Sequence, residues 1–408
     1  MRCRHCKTPL TLAFADLGSS PPSNSYLTQE GLSRPETWYP LRVLACTSCW
    51  LVQTEDFAGR DEFFSDDYAY FSSFSDTWLR HAEAYVEAMT ARFGLGGDSH
   101  VVEVASNDGY LLQYVKARGI PCLGIEPTAS TAEAARERGI EVRLEFFGAE
   151  LAAQLVAEGR AADLTAANNV LAHVPDIDDF VRGFAILLKP QGVATFEFPH
   201  LMRLVAESQF DTIYHEHYSY LSLTAVQAIF AANGLIPFDV EELPTHGGSL
   251  RVYAMRADRG AHPVTGRVSD LLERERAAGV ATPAYYQSLQ PRAETLAADL
   301  LAFLVEARRS GEKVVGYGAA AKGNTLINFA GVRRHLLPWV VDRNPAKQGK
   351  YLPGSRIPIV GEDRIREERP DYVAILPWNL RDEVMEQLAY IREWGGRFVT
   401  AIPTLRIQ

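Results

Sequence analysis

One stretch in the middle of this chain, Asp211-Thr212-Ile213-Tyr214-His215-Glu216-His217-Tyr218-Ser219-Tyr220, gathers two imidazoles, three phenols and the carboxylate of Glu216. It is too polar for a core strand and too aromatic for a solvated face. Such a density of proton-handling groups points to acid/base chemistry. His217 is the best single candidate for a general base, because imidazole alone titrates near neutral pH without perturbation. Tyr214 and Glu216 could orient it, tune it or hold a substrate oxygen. Two other readings stay open: a hydrogen-bonded structural corner, or His215 and His217 as metal ligands at the i, i+2 spacing of a strand. On a strand these imidazoles would share a face, which makes His215 the rival base.

Cysteine carries the second chemical signal. Cys3-x-x-Cys6 and Cys46-x-x-Cys49 are two identical knuckles with 39 residues between them. Paired knuckles are the pattern of a tetrahedral thiolate zinc site, and four thiolates leave no open position for catalytic water. A structural zinc is therefore expected. Cys122 stands alone in a strand-like run and reads as a small buried apolar residue. Between the knuckles, Leu17 to Ser25 reads as a loop.

Composition limits what these groups can serve. The 408 residues are 47% hydrophobic and 23% charged, enough for two or three globular cores. With 41 Lys plus Arg against 51 Asp plus Glu, the formal charge is −10, which argues against a nucleic-acid partner. No apolar run approaches the roughly 20 residues that span a bilayer, and the start lacks an apolar signal core. A cytoplasmic monomer without membrane contact is expected.

The elements that must position the chemistry follow in order. Asp67-Tyr68-Ala69-Tyr70-Phe71-Ser72-Ser73 leads into a helical pattern starting near Ser75. Its aromatics could equally line a pocket or pack a domain seam. From residue 99 the pattern is strand, turn, helix, strand: Val101 to Val104, then Ala105-Ser106-Asn107-Asp108-Gly109, then Tyr110 to Val115, then Cys122 to Ile125 closed by Glu126. A turn of this kind brings backbone N–H groups near a ligand, and a carboxylate closing the second strand accepts two ribose hydroxyls. Glu103 at the strand end suits a cationic, phosphate-free ligand better than a pyrophosphate.

That combination resembles motif I of class I S-adenosylmethionine-dependent methyltransferases, with Ala105 and Asn107 standing where glycines are usual. Asp163 to Asp176, which includes Asn168 and Asn169, looks like the fourth strand and loop of those enzymes. Leu187 to Glu197 looks like their helix, Pro-Gly turn and fifth strand. Over the full length, the knuckles, the Tyr68 segment, Asn168-Asn169-Val170-Leu171-Ala172-His173, Tyr214-His215-Glu216-His217, His246-Gly247-Gly248, Gly316-Tyr317-Gly318-Ala319-Ala320-Ala321-Lys322-Gly323-Asn324 and Val341-Asp342 to Gly349 together resemble the sugar C-methyltransferases that act on nucleotide-linked keto-deoxysugars. The resemblance implies an α/β chain with a small N-terminal zinc-binding domain (1–66), a central class I methyltransferase Rossmann-like domain (67–256) and a C-terminal α/β Rossmann-like domain (257–408) that helps enclose a TDP-sugar. It implies S-adenosylmethionine as methyl donor, held by Glu103, Ala105, Ser106, Asn107, Gly109, Glu126, Asn168 and Asn169. It also implies His217 as base with Tyr214 and Glu216 beside it, and Tyr68, Tyr70 and His173 near the substrate.

The C-terminal third has a pattern of its own. Lys313 to Gly318 is a strand running into a small-residue turn, and the helix after it carries Lys322 and Asn324. A helix N-terminus with a nearby lysine favours anions, here a nucleotide diphosphate. Residues 263–310 read as a charged helical connector, and Leu337 to Asp342 and Tyr372 to Leu376 as further parallel strands. Carbon accepts a methyl group from a sulfonium only as a nucleophile, so a base must first make an enolate next to a ketone. Tyr214 or His173 could donate to the enolate oxygen, and Glu216 could steady the imidazolium. The competing classes are an NAD(P)-dependent sugar oxidoreductase or dehydratase and a non-catalytic zinc-ribbon adaptor.

Overall fold

A computed structural model describes residues 1–57 and 71–408, so Tyr68 and Tyr70 lie outside the described residues. Three sheets organise the rest. The first is antiparallel and four-stranded, in the order β1 (Leu12–Ser20), β2 (Tyr39–Ala45), β3 (Val52–Thr54) and β9 (Ser219–Tyr220). Its last strand comes from the far side of the chain, directly after the Tyr-His-Glu-His stretch.

The second sheet has seven strands, in the order β10 (Leu235–Leu243), β11 (Ser249–Arg256), β8 (Leu188–Pro199), β7 (Ala162–Asn168), β4 (Val101–Val104), β5 (Cys122–Ile125) and β6 (Val142–Arg143). β6, β5, β4, β7 and β8 run parallel, and β11 is inserted antiparallel between β8 and β10. Every residue of β4 is buried, as expected of a strand covered on both faces. Strand order reverses between β4 and β7, which opens a crevice at their C-terminal ends. Helix α1 (Asp76–Phe93) covers one side. It starts where the Ser75 hydroxyl accepts from the Trp78 amide at 3.2 Å and stops at the left-handed Gly94.

After the connector helices α2 (Gly266–Ala278) and α3 (Leu289–Arg309), the third sheet runs β14 (Ile359–Val360), β13 (Val340–Val341), β12 (Val314–Tyr317), β15 (Tyr372–Ile375), β16 (Arg397–Thr400) and β17 (Arg406–Ile407). All but β17 are parallel. Its order also reverses, between β12 and β15, and α4 (Ala321–Phe329) opens at that point. No helix among the described residues is long and apolar enough to cross a membrane.

Three local expectations change. Strand β1 continues through Gly18 to Ser20, so the expected loop starts later. Pro190 to Gly192 lies within β8, where pairing jumps from Ala162↔Leu188 to Leu164↔Val193. Residues 211–218 are no strand: Phe210–Thr212 is a 3₁₀ turn, and the His217 amide donates to the Tyr214 carbonyl at 2.9 Å to close another turn. Two aromatics and two imidazoles packed into so few residues favour turns that send them to different neighbours.

The turn after β4 is strained. Ala105 (φ +58°) and Asn107 (φ +49°) are left-handed, as is Gly109 (φ +76°). A Cβ on Gly109 would meet Ile140 Cδ1 at 2.4 Å. Gly109→Ala should therefore destabilise the fold by roughly 1–3 kcal/mol, seen as a lowered Tm in calorimetry. Adding Ile140→Val should recover the steric share and leave the backbone share. An unchanged Tm for the single variant would contradict this geometry.

Candidate active site

The crevice of the second sheet and that of the third face each other across one cavity of about 370 Å³. On the methyltransferase side it is lined by Ala105, Asn107, Glu126, Asn168 and Asn169, and on the other by Ala320, Ala321, Lys322 and Lys347. His173, Tyr214, His217 and His246 lie along it as well. Asn24 reaches it from the first domain, so all three domains contribute.

His217 sits in the turn between Tyr214 and β9. Its Nδ1–H donates to the Thr212 carbonyl at 2.8 Å, which fixes the tautomer, and Nε2 accepts from the Tyr214 hydroxyl at 2.7 Å. The two rings are tilted by 32° to one another, with centroids 3.9 Å apart. Burial, and then the neighbouring His173, Lys322 and His246, pull the imidazole well below its ordinary range, so it rests neutral. His173 stands 4.6 Å away, ring to ring, with Nδ1–H donating to the Glu216 carbonyl at 2.8 Å. Burial brings His173 down to about 4. With Nδ1–H on the Glu216 carbonyl, the neutral ring leaves Nε2 as an acceptor.

Glu216 takes another direction from the one its place in sequence suggests. Its carboxyl is buried off the cavity, accepts from Asn24 Nδ2 at 3.3 Å, and is pushed up to about 7 by burial. None of its hydrogen bonds goes to the His217 ring. His215 faces the first sheet, with Nε2 donating to the Pro40 carbonyl at 3.2 Å and its ring 5.9 Å from Tyr39. The rival base thus lies outside the cavity, because the segment turns where a strand would have kept both imidazoles on one face.

At the other end, Glu126 closes β5. Its Oε2 accepts from the Asn107 amide and its Oε1 from the Thr128 amide, both at 2.9 Å. Two anchored oxygens still leave acceptor positions toward the cavity, which suits the two hydroxyls of a ribose. Asn169 Oδ1 is buried without a hydrogen bond, an orphan that a ligand donor would satisfy. Phe146, Phe147 and Trp78 supply apolar walls. The residues present therefore fit S-adenosylmethionine. Glu103, Ser106 and Gly109 stand behind this wall: the fully buried Glu103 is driven well above its usual range by burial, and Gly109 shapes the turn.

On the C-terminal side, α4 begins at Ala320 with no side-chain cap, so its first amides face the cavity. Lys322 is half-buried, donates to Asn379 Oδ1 at 2.8 Å and lies 4.9 Å from the centre of the Trp378 ring. Burial lowers its pKa, and Asp211 nearby partly restores it. Asn324 lies off the cavity and donates to the Ser23 carbonyl at 2.8 Å, tying the first domain to the third. Asp342 closes β13 in the position of a ribose-binding acid, and its oxygens accept from the Ala319 and Asn344 amides at 2.8 Å much as those of Glu126 accept from two amides, but unlike Glu126 it does not line the cavity.

Sequence reasoning missed His246, Trp78, Lys347 and Asn24 as lining residues. The available signal for His246 was the following Gly247-Gly248: all three are left-handed (φ +54°, +89°, +114°), which drives the imidazole inward to accept from Asn169 Nδ2 at 2.9 Å. A non-glycine residue held there is strained, a trait that clusters at functional sites.

The four knuckle sulfurs converge, all lying within 4.8 Å of one another, with Cys3 to Cys49 at 3.5 Å and Cys6 to Cys46 at 3.4 Å. A tetrahedron of 2.3 Å zinc–sulfur bonds has edges of about 3.8 Å, so the set fits zinc. Cys122 is partly buried on the second sheet, and burial raises its thiol to about 11.

A parallel sheet with one inserted antiparallel strand and a carboxylate closing β5 beside the switch point define a class I methyltransferase. A zinc binding domain profile matches residues 3–64, a methyltransferase domain profile residues 78–237, and a C-methyltransferase C-terminal domain profile residues 244–403. The chain is 34% identical over 405 residues to C-methyltransferase NovU of Streptomyces niveus, covering 99% of this chain and 96% of that protein. It belongs to that family of C-methyltransferases and is an S-adenosylmethionine-dependent enzyme. Solved structures overlap about half of it. Magnesium protoporphyrin IX methyltransferase from Synechocystis PCC 6803 shares 15% identity over 44% of this chain and 79% of that one, with a TM-score of 0.34. The Burkholderia thailandensis 1,6-didemethyltoxoflavin-N1-methyltransferase shares 16% over 51% and 96%, with a TM-score of 0.36.

If Glu126 holds the donor's ribose, Glu126→Ala strands two hydroxyls. Affinity for S-adenosylmethionine should then fall by roughly 1–3 kcal/mol in a calorimetric titration, with zinc content unchanged. Unaltered affinity would place the ribose elsewhere.

Proposed function

We propose that this enzyme methylates the carbon next to the ketone of a TDP-linked 4-keto-deoxysugar, at C-3′, through an enolate. The observation that carries this reading is the Tyr214–His217 pair, held at hydrogen-bond distance in the same cavity as Glu126. The domain division at 1–66, 67–256 and 257–408 belongs to the same proposal, as does action as a monomer in the cytoplasm.

Bound S-adenosylmethionine supplies the electrophilic methyl group. Everything else falls to the chain. The depressed pKa of His217 keeps Nε2 unprotonated and ready to accept. When Nε2 takes the proton from the carbon next to the ketone, it can no longer accept from Tyr214, and the released hydroxyl turns to the enolate oxygen. One exchange of hydrogen bonds thus supplies both a base and an oxyanion donor, the latter contributing on the order of 3 kcal/mol. The Thr212 carbonyl keeps hold of Nδ1–H throughout and stabilises the imidazolium. The same surroundings that depress the pKa drive the proton off again afterward.

The diphosphate would lie at the uncapped start of α4, with Lys322 and Lys347 beside it. His173 Nε2, limited to accepting, would take a hydrogen bond from a sugar hydroxyl. Tyr68 and Tyr70 belong to the proposed substrate shell.

The test is mass spectrometry of a panel of TDP-4-keto sugars incubated with the methyl donor, where a gain of one methyl group is expected. No gain on any member would overturn the substrate reading. With an active substrate, His217→Asn should lower the rate by on the order of 10²–10⁴-fold while donor binding survives. Tyr214→Phe should cost less, because it removes a donor and leaves the base. A His217→Asn enzyme working at the parental rate would remove His217 from the mechanism.

A further inference from the structure

The hydrogen bonds that orient the His217 ring all arise inside residues 212–217, so they fix its orientation within the turn but not the turn's place in the cavity. Contacts from outside do that: His173, Pro40 and Asn24 hold Glu216 and His215, and two threonine hydroxyls hold the backbone on either side of them. From the third domain, the Thr325 hydroxyl donates to the Ile213 carbonyl at 2.8 Å. From the first, the Thr54 hydroxyl donates to the carbonyl of His217 itself at 3.0 Å. Thr54 is buried, its amide donates to the Tyr218 carbonyl at 3.2 Å, and it ends the strand β3 that pairs with β9 through Val52↔Tyr220 and Gln53↔Ser219.

Thr54 is in turn fixed to the cysteine knuckles. The Arg4 guanidinium donates to the Thr54 carbonyl at 3.0 Å and lies 5.1 Å from the centre of the Tyr218 ring. Gln53, fully buried, accepts from the Arg4 amide at 2.8 Å and donates Nε2–H to Cys3 Sγ at 3.4 Å. Cys46 joins from the other knuckle through its amide, which donates to the Leu51 carbonyl at 2.9 Å. A continuous set of buried hydrogen bonds therefore runs from the tetrathiolate cluster through two residues of β3 to the backbone of the proposed base.

We infer that Thr54 is a positioning residue for His217, and that the zinc module serves as the footing from which it sets the imidazole against the substrate carbon. The inference rests on His217 being the base. Geometry of this kind matters because a reacting group misplaced by about 1 Å can lose roughly 100-fold in rate.

The test compares Thr54→Val, which keeps the shape and removes the hydroxyl, with Thr54→Ser, which restores it. Thr54→Val should retain one zinc per chain and the parental donor affinity. Its kcat should fall by roughly 10- to 100-fold with little change in substrate KM, and Thr54→Ser should recover most of the loss. In ¹⁵N-histidine spectra of the substrate-free enzyme, the His217 imidazole signals should move in Thr54→Val and return in Thr54→Ser. That spectrum reports the clamp whether or not His217 is the base, so a moved signal with unchanged kcat would count against the base and not against the clamp. An unmoved imidazole with parental kcat would overturn the inference. So would a loss of zinc or donor binding, or a loss of kcat that Ser fails to restore, since each would mark Thr54 as structural only.

Discussion

The hydrogen bond from His217 Nδ1–H to the Thr212 carbonyl is the interaction on which the rest of the site depends. It leaves Nε2 as the lone-pair nitrogen, and that nitrogen can then accept from Tyr214 and point at the cavity. Were the proton on the other nitrogen, the same residues in the same places could not supply the proposed base. The backbone carbonyl is available because Phe210–Thr212 is a 3₁₀ turn, which aims it back toward the ring five residues later.

Around this bond charge is sparse. His173, His217 and His246 are all held neutral by burial, while Asp211 and Glu216 are pushed up to about 7. Lys322 is a half-buried cation among them, and its neighbours are Asp211 and an aromatic face. An environment that disfavours charge at rest would strengthen each electrostatic contact to the negative enolate of the proposed reaction. The chain's acidic balance does not extend to the third-domain wall of this cavity, where Lys322, Lys347 and the start of α4 supply the opposite character.

Much of the fold was legible in the sequence, because its signals are local. The knuckles, the strand–turn–helix from Val101 to Glu126, the helix start near Ser75 and the charged connector each depend on near neighbours, and each lies where the pattern put it. What escaped was set by contacts between distant segments. Nothing in the spacing of Tyr-His-Glu-His says that it bends, that His215 turns to Pro40, or that Glu216 reaches Asn24. The pairing of β9 with β3 joins residues more than 160 positions apart, as the Thr54–His217 bond does, and it is visible only in three dimensions. Ala105 and Asn107 adopt the left-handed conformation in which glycine is ordinarily found, so the turn survives a sequence that departs from the usual motif.

The claim most exposed to test is that the chain itself generates a carbon nucleophile before any methyl group moves. The parental enzyme, given a TDP-4-keto sugar in deuterated water with S-adenosylhomocysteine in place of the methyl donor, should exchange the proton next to the ketone. Mass spectrometry would show a gain of one deuteron per sugar, well above the rate without enzyme. A sugar that is readily methylated when the donor is present, yet takes up no deuterium under these conditions, would contradict the account.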